Sequence, residues 1–203
     1  MAFETYVYMV ASAPSPSTAI RAILTRLYPL DVRLETEFFE LGGERRKAIP
    51  EEAGWEAKVD AWKMMHFSVA SKGPVLSLTL TKLAGTTLRV TVEVSGRSLA
   101  LVFADNRRHD SIFYAPLFQI ALALDVRSGV GDLELEEFEP TTEKEVEQAI
   151  WRSPQDLGVP SRLGFLRRAP GTPKPNGPFV VTERPEGYWL LEHPTYLRFL
   201  GEK

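Results

Sequence analysis

Six consecutive polar residues, Asp105 to Asp110, have the side chains best suited to chemistry in this sequence. His109 can act as a general acid or base near neutral pH, or as a metal ligand, with the carboxylates of Asp105 and Asp110 nearby. Arg107 and Arg108 can stabilise negative charge that develops on a substrate. One hypothesis is therefore a small hydrolase or phosphate-handling enzyme with Asp105, His109 and Asp110 as its catalytic residues.

The same segment also fits an ordinary transition from a strand to a helix. An apolar helix is predicted to begin near Asp110 or Ser111, and aspartate is a favoured residue at helix N-termini. Asp105 and Asn106 are typical turn residues, and arginines at such a turn are commonly solvated. Because an Asp-x-x-x-His spacing alone requires no particular reaction, we favour this interpretation and predict a protein that is not an enzyme.

Composition excludes several kinds of site. The 203 residues contain no cysteine, which removes disulfides, cysteine-bound zinc, iron-sulfur clusters and thiol nucleophiles. Only three histidines are present, so a zinc site would need carboxylates to converge on them from distant segments. The segment 129–131 (Gly-Val-Gly) lacks the third glycine of a dinucleotide-binding loop and is predicted to be a turn. We therefore predict no metal and no cofactor.

The overall charge argues against nucleic acid and membranes as partners. The formal net charge is -3 and the pI is near 5.7, so the chain has no overall attraction for phosphate backbones or anionic lipids. Residues 1–10 contain no basic residue and lack the positive region of a secretory signal. The longest apolar stretch, Ile112 to Leu124, is only 13 residues long and too short to cross a bilayer. We predict a cytoplasmic protein.

Charged and aromatic residues elsewhere suit the binding of another protein. An acidic stretch surrounds Glu136 and Glu137, and a proline-rich segment carries Arg167 and Arg168. Trp151 ends a predicted helix, and tryptophan is enriched at interface hot spots. The predicted binding residues are Arg107, Arg108, Glu136, Glu137, Trp151, Arg167 and Arg168. The alternatives are a solvated acidic face, a plain linker and a buried tryptophan.

These observations predict a non-catalytic protein-binding protein: an inhibitor, an immunity-type antidote or a subunit of a larger assembly. Its partner is predicted to be another protein, because binding requires complementary shape and charge rather than a recurrent catalytic constellation. A small-molecule ligand held between sheet and helix is a further alternative.

Alternation of apolar and polar residues predicts the elements that would position these groups. Residues 66–104 read as four strands of a β-meander, most clearly where leucines at 76, 78 and 80 alternate with polar residues. A helix that begins near residue 110 would cover the apolar face, a strand is predicted over 132–138 and a helix over 141–151. The fold class is α+β, with an antiparallel β-meander sheet covered on one face by helices.

The prolines indicate how the chain is organised. Eight of the fifteen prolines follow residue 153, which predicts sparse regular structure there. We expect a core domain at 1–152 and a proline-rich extension at 153–203 docked on it. Within the extension, Phe179 to Val181 and Tyr188 to Leu191 are predicted to pair as a short hairpin.

Overall fold

A computed structural model of the protein describes residues 4–30, 33–41, 44–46, 54–61, 64–70, 76–95, 113–133, 138–151, 163–171 and 173–194. These residues form ten strands and four α-helices. The strands are β1 (Glu4–Ser12), β2 (Arg33–Leu41), β3 (Glu44–Arg46), β4 (Met64–Ala70), β5 (Leu76–Lys82), β6 (Thr87–Ser95), β7 (Ser128–Leu133), β8 (Leu163–Arg167), β9 (Val180–Glu183) and β10 (Tyr188–Glu192). The helices are α1 (Pro16–Leu27), α2 (Trp55–Asp60), α3 (Ala115–Ala123) and α4 (Glu143–Trp151).

All ten strands belong to one antiparallel sheet in the order β3-β2-β4-β5-β6-β1-β7-β8-β10-β9. The predicted α+β class and antiparallel meander are confirmed, with β4, β5 and β6 as consecutive neighbours. The fourth predicted meander strand and the start of the helix near residue 110 lie outside the described residues. None of the helices that the structure describes is long and apolar enough to cross a membrane.

Alternate residues of β1 enter two hydrophobic clusters on opposite faces of the sheet. Val7 and Met9 join the larger cluster, which α1 and α3 cover. Tyr6 and Tyr8 join a second cluster with Val146 and other residues of α4. The structure thus adds a helix on the second face to the predicted cover on the first, and this second face carries the candidate site.

Helix α1 is fixed at its start by polar contacts. The Ser15 hydroxyl accepts a hydrogen bond from the backbone N–H of Thr18, as expected of an N-cap. The backbone N–H and hydroxyl of Ser17 donate to the two carboxylate oxygens of Asp60, at 2.8 and 2.9 Å. Asp60 ends α2, so this contact ties the two helices together.

The prediction of a turn at 129–131 is wrong, because these residues lie inside β7. Glycine is required at both positions of the strand because neighbouring groups occupy the space that a side chain would need. A β-carbon on Gly129 would lie 2.1 Å from Cε1 of Phe165, and one on Gly131 would lie 2.5 Å from the carbonyl oxygen of Tyr6. The strand predicted over 132–138 therefore begins earlier, at Ser128, and residues 134–137 are outside the described part.

The predicted C-terminal hairpin is present as β9 and β10, which pair across the turn at 184–187. Strand β8 pairs with β7 on one side and β10 on the other, so residues 163–192 continue the same sheet. The division into domains 1–152 and 153–203 stays a prediction. The strand pairing brings the end of α4 beside β8 and β10.

Candidate functional site

A groove of about 1000 Å³ lies on the second face of the sheet. Its sides are the last turn of α4, Arg127 before β7, and the segment that follows β8 at residues 168–170 and 173–176. Its floor includes Leu166 and Trp189. We call this site the Trp151 groove, after the most exposed aromatic side chain in its lining.

Helix α4 places Trp151 at the groove. Its start is fixed by a capping box, in which the backbone N–H of Glu145 donates to the Thr142 hydroxyl and the Glu145 carboxylate accepts from the Thr142 N–H. Hydrogen bonds from the Thr141 backbone N–H and hydroxyl, and from Thr142, lower the pKa of Glu145. Val146 and Ile150 are fully buried, which holds the helix against the sheet.

The close approach of α4 to the sheet depends on Gly164 in β8. A β-carbon there would lie 3.3 Å from two side-chain carbons of Ile150, closer than ordinary van der Waals contact. With Ile150 seated on the glycine, the next residue, Trp151, projects at the rim. Its side chain is 48% exposed and meets Phe179 edge to face at 6.4 Å between ring centroids.

The floor is an apolar surface presented by paired strands. Trp189 of β10 is directly opposite Leu166 of β8 in the register and is only 7% exposed. Trp189 packs in the second cluster with Ile150, so the floor is continuous with the core beneath it. A floor packed into the core in this way is already formed before a ligand binds.

Four cationic side chains line the groove. Arg167 forms an ion pair with Asp125, and Arg168 forms one with Glu183. The hydrogen bond to Asp125 raises the pKa of the Arg167 guanidinium further, so it is charged at every physiological pH. Arg127 and Lys174 are exposed and make no ion pair with any residue of the described ranges. Because both side chains are exposed, each can place a positive charge against a ligand.

Backbone contacts hold Arg127 and Arg167 next to each other. The N–H of Arg167 donates to the carbonyl of Arg127 at 2.7 Å. One residue earlier, the carbonyl of Val126 accepts from the hydroxyl of the buried Tyr188 at 2.8 Å. Burial raises the pKa of Tyr188 to about 12, so the hydroxyl keeps its proton and this bond through the physiological range.

The groove joins three of the predicted binding residues: Trp151, Arg167 and Arg168. Arg127, Lys174 and Trp189 were not predicted to share a surface, since they belong to separate segments that only the β7-β8-β10 pairing brings together. The other predicted site residues lie outside the described part of the chain: Asp105, Arg107, Arg108, His109, Asp110, Glu136 and Glu137. Within the described part, no group of three or more His, Asp or Glu residues is arranged to hold a metal ion.

A second polar cluster lies in the interior and has a structural role. Arg184 is 6% exposed, pairs with Glu186 and lies over the ring of Phe118 at 5.2 Å. The hydroxyl of Tyr114 donates to the buried carboxylate of Glu192. Buried charges with such partners are stabilised against the cost of leaving water, and this cluster joins α3 to the β9-β10 hairpin.

Comparison with known proteins does not assign the chain to a family. No protein-family model matches the chain, and the search of curated proteins found no match. Among solved structures, the chain is similar to the Pseudomonas aeruginosa T6SS protein PA0821, with 12% sequence identity and a TM-score of 0.39. The alignment covers 98% of this chain and 74% of that chain. At this identity and TM-score, the similarity indicates neither family nor function.

Proposed function

We propose that the protein is a non-catalytic binding protein that holds another protein in the Trp151 groove. The observation that carries the proposal is the half-exposed Trp151 beside an apolar floor and four cations in one concave site. It extends the expectation of an inhibitor, an immunity-type antidote or a subunit of a larger assembly, and it fits each of these roles.

The energetics of interfaces support a protein partner. A tryptophan that becomes buried at the centre of an interface commonly contributes about 2 kcal/mol or more. In the free protein Trp151 has one side against Phe179 and nearly half of its surface in water. A partner that covers it gains this burial, and because α4 and the floor are already packed into the core, little additional entropy is lost in ordering the groove.

The experiment is affinity capture of the tagged full chain from its native cell, followed by quantitative mass spectrometry. Two groove variants, Trp151→Ala and Arg127→Glu, are compared with two controls on the opposite face of the sheet, Tyr28→Ala and Arg26→Glu. Tyr28 is 84% exposed, and Arg26 is an exposed cation in the last turn of α1. The controls therefore match the groove variants in kind, with one exposed aromatic residue and one exposed arginine in each pair.

We expect a stoichiometric protein partner that both controls retain and both groove variants lose. A partner retained equally by all four variants would contradict the proposal. So would a wild-type protein that captures no partner at stoichiometric yield.

A further inference from the structure

We infer that the Trp151 groove takes an acidic, extended peptide segment of its partner, with an aromatic or aliphatic side chain inserted beside Trp151. This inference rests on the proposed function and specifies the chemistry of the partner. Three features of the groove support it: its charge, its aromatic surface and its prolines.

The charge of the groove is opposite to that of the chain as a whole. Among the described residues, four cationic side chains there are matched by three carboxylates, namely Glu147 in the lining and the ion-pair partners Asp125 and Glu183. The chain as a whole has a formal net charge of -3. Arg127 and Lys174 are the cations without an ion pair in the described ranges, so about two partner carboxylates can be bound through charge.

This modest excess favours a peptide over nucleic acid. Nucleic-acid surfaces commonly neutralise about six to ten phosphates, whereas the part of this groove that the structure describes offers two cations without an ion pair and a carboxylate at Glu147. A phosphate backbone would meet repulsion from Glu147, while a peptide can place a neutral residue there. Charge complementarity of this size steers association and sets specificity, and the apolar contacts supply most of the affinity.

The shape of the groove suits an extended chain with one anchoring side chain. Pro170, Pro173 and Pro175 line one wall, and proline lacks the backbone N–H that strand addition would require. The wall therefore offers ring surfaces rather than a row of main-chain donors. A peptide side chain that inserts between Trp151 and the floor would itself be buried and would also cover the Trp151 ring. Aromatic-lined grooves bind extended peptides in this way.

The experiment is selection from a random-sequence peptide library displayed on phage, with the full-length protein as bait. Enriched peptides are synthesised with a fluorescent label, and their dissociation constants are measured by anisotropy against wild type, Trp151→Ala, Arg127→Glu and the controls Tyr28→Ala and Arg26→Glu. A labelled single-stranded uridine oligonucleotide is titrated in parallel. Urea denaturation of every variant checks that it is folded.

We expect the enriched peptides to carry an excess of Asp and Glu and at least one aromatic or large aliphatic residue. Trp151→Ala should weaken binding about 30-fold, and Arg127→Glu should weaken it about tenfold. The controls should change it less than about twofold. Raising the ionic strength from about 0.1 M to about 1 M shortens the Debye length from about 10 Å to about 3 Å, so the effect of Arg127→Glu should largely disappear.

The inference is overturned if no peptide is enriched, if the enriched peptides have no acidic excess, or if both groove variants bind them as wild type does. It is also overturned if the oligonucleotide binds through Trp151 and the peptides do not. The capture experiment separates the two claims. If the groove variants lose a captured partner but the peptide selection fails, the groove is still an interface. In that case the acidic peptide is rejected as its occupant.

Discussion

Gly129→Ala tests the packing that holds β7 and β8 under the groove. A β-carbon at this position would lie 2.1 Å from Cε1 and 2.5 Å from Cζ of Phe165, whereas carbon atoms pack best at about 3.5–4.0 Å. The Phe165 ring is buried between Phe118 and Tyr188, with both centroids 5.3 Å away, so it cannot move without displacing them. We expect the overpacked variant to lose about 1–3 kcal/mol of unfolding free energy.

The assay is urea denaturation followed by tryptophan fluorescence, arranged as a double-mutant cycle with Phe165→Ala. Phe165→Ala alone should cost about 3–5 kcal/mol. Since removal of the ring opens space for the new methyl group, Gly129→Ala should cost little in that background, which gives a coupling energy of at least about 1 kcal/mol. Equal costs in both backgrounds, or a cost below about 0.5 kcal/mol in the wild-type background, would refute the packing argument.

Three further predictions concern polar contacts. Tyr188→Phe removes the hydroxyl that donates to Val126 and should lower the unfolding free energy by about 1–3 kcal/mol in urea denaturation. Folding raises the pKa of Tyr188 to about 12, so the contribution of its protonated hydroxyl to the unfolding free energy should be complete below about pH 10. This contribution should be lost as the pH rises through 12, with a tyrosinate absorbance change late in the titration. Asp60→Asn retains one acceptor oxygen for Ser17 and should cost about 1–2 kcal/mol; an unchanged urea midpoint would contradict this. Thr142→Ala removes a helix cap and should cost about 1 kcal/mol, whereas Thr142→Ser should restore most of it.

The fold class was predictable because the central strands follow a simple pattern. Leu76, Leu78 and Leu80 face the core and alternate with polar residues, and this period of two fixes both strand and face. The first part of β7, residues 128–131, was not predictable, since glycine has low strand propensity and Gly-Val-Gly suggests a turn. The segment is a strand through its pairing with β1 and β8, and the neighbours Phe165 and Tyr6, which fill the space above the glycines, explain why glycine is required there.

Part of the candidate site was predicted from the sequence, but the surface that its residues form together was not. Trp151, at the end of an amphipathic helix, and the neighbouring pair Arg167 and Arg168 were each predicted to bind a partner, and this stays a prediction. Arg127 lacks such a signal because an isolated arginine is usually solvated, and Trp189 could anchor an interface but is by default a core residue. They reach the groove through the strand order β7-β8-β10, which depends on long-range pairing that no local pattern specifies.

The central claim, that a partner protein docks in the Trp151 groove, is tested most directly by hydrogen-deuterium exchange of the captured complex against the free protein. We predict slower exchange in the last turn of α4, in the segment after β8 and in β10, with α1 unchanged on the opposite face. Protection confined to α1 and α3, with the groove segments exchanging as in the free protein, would contradict the claim.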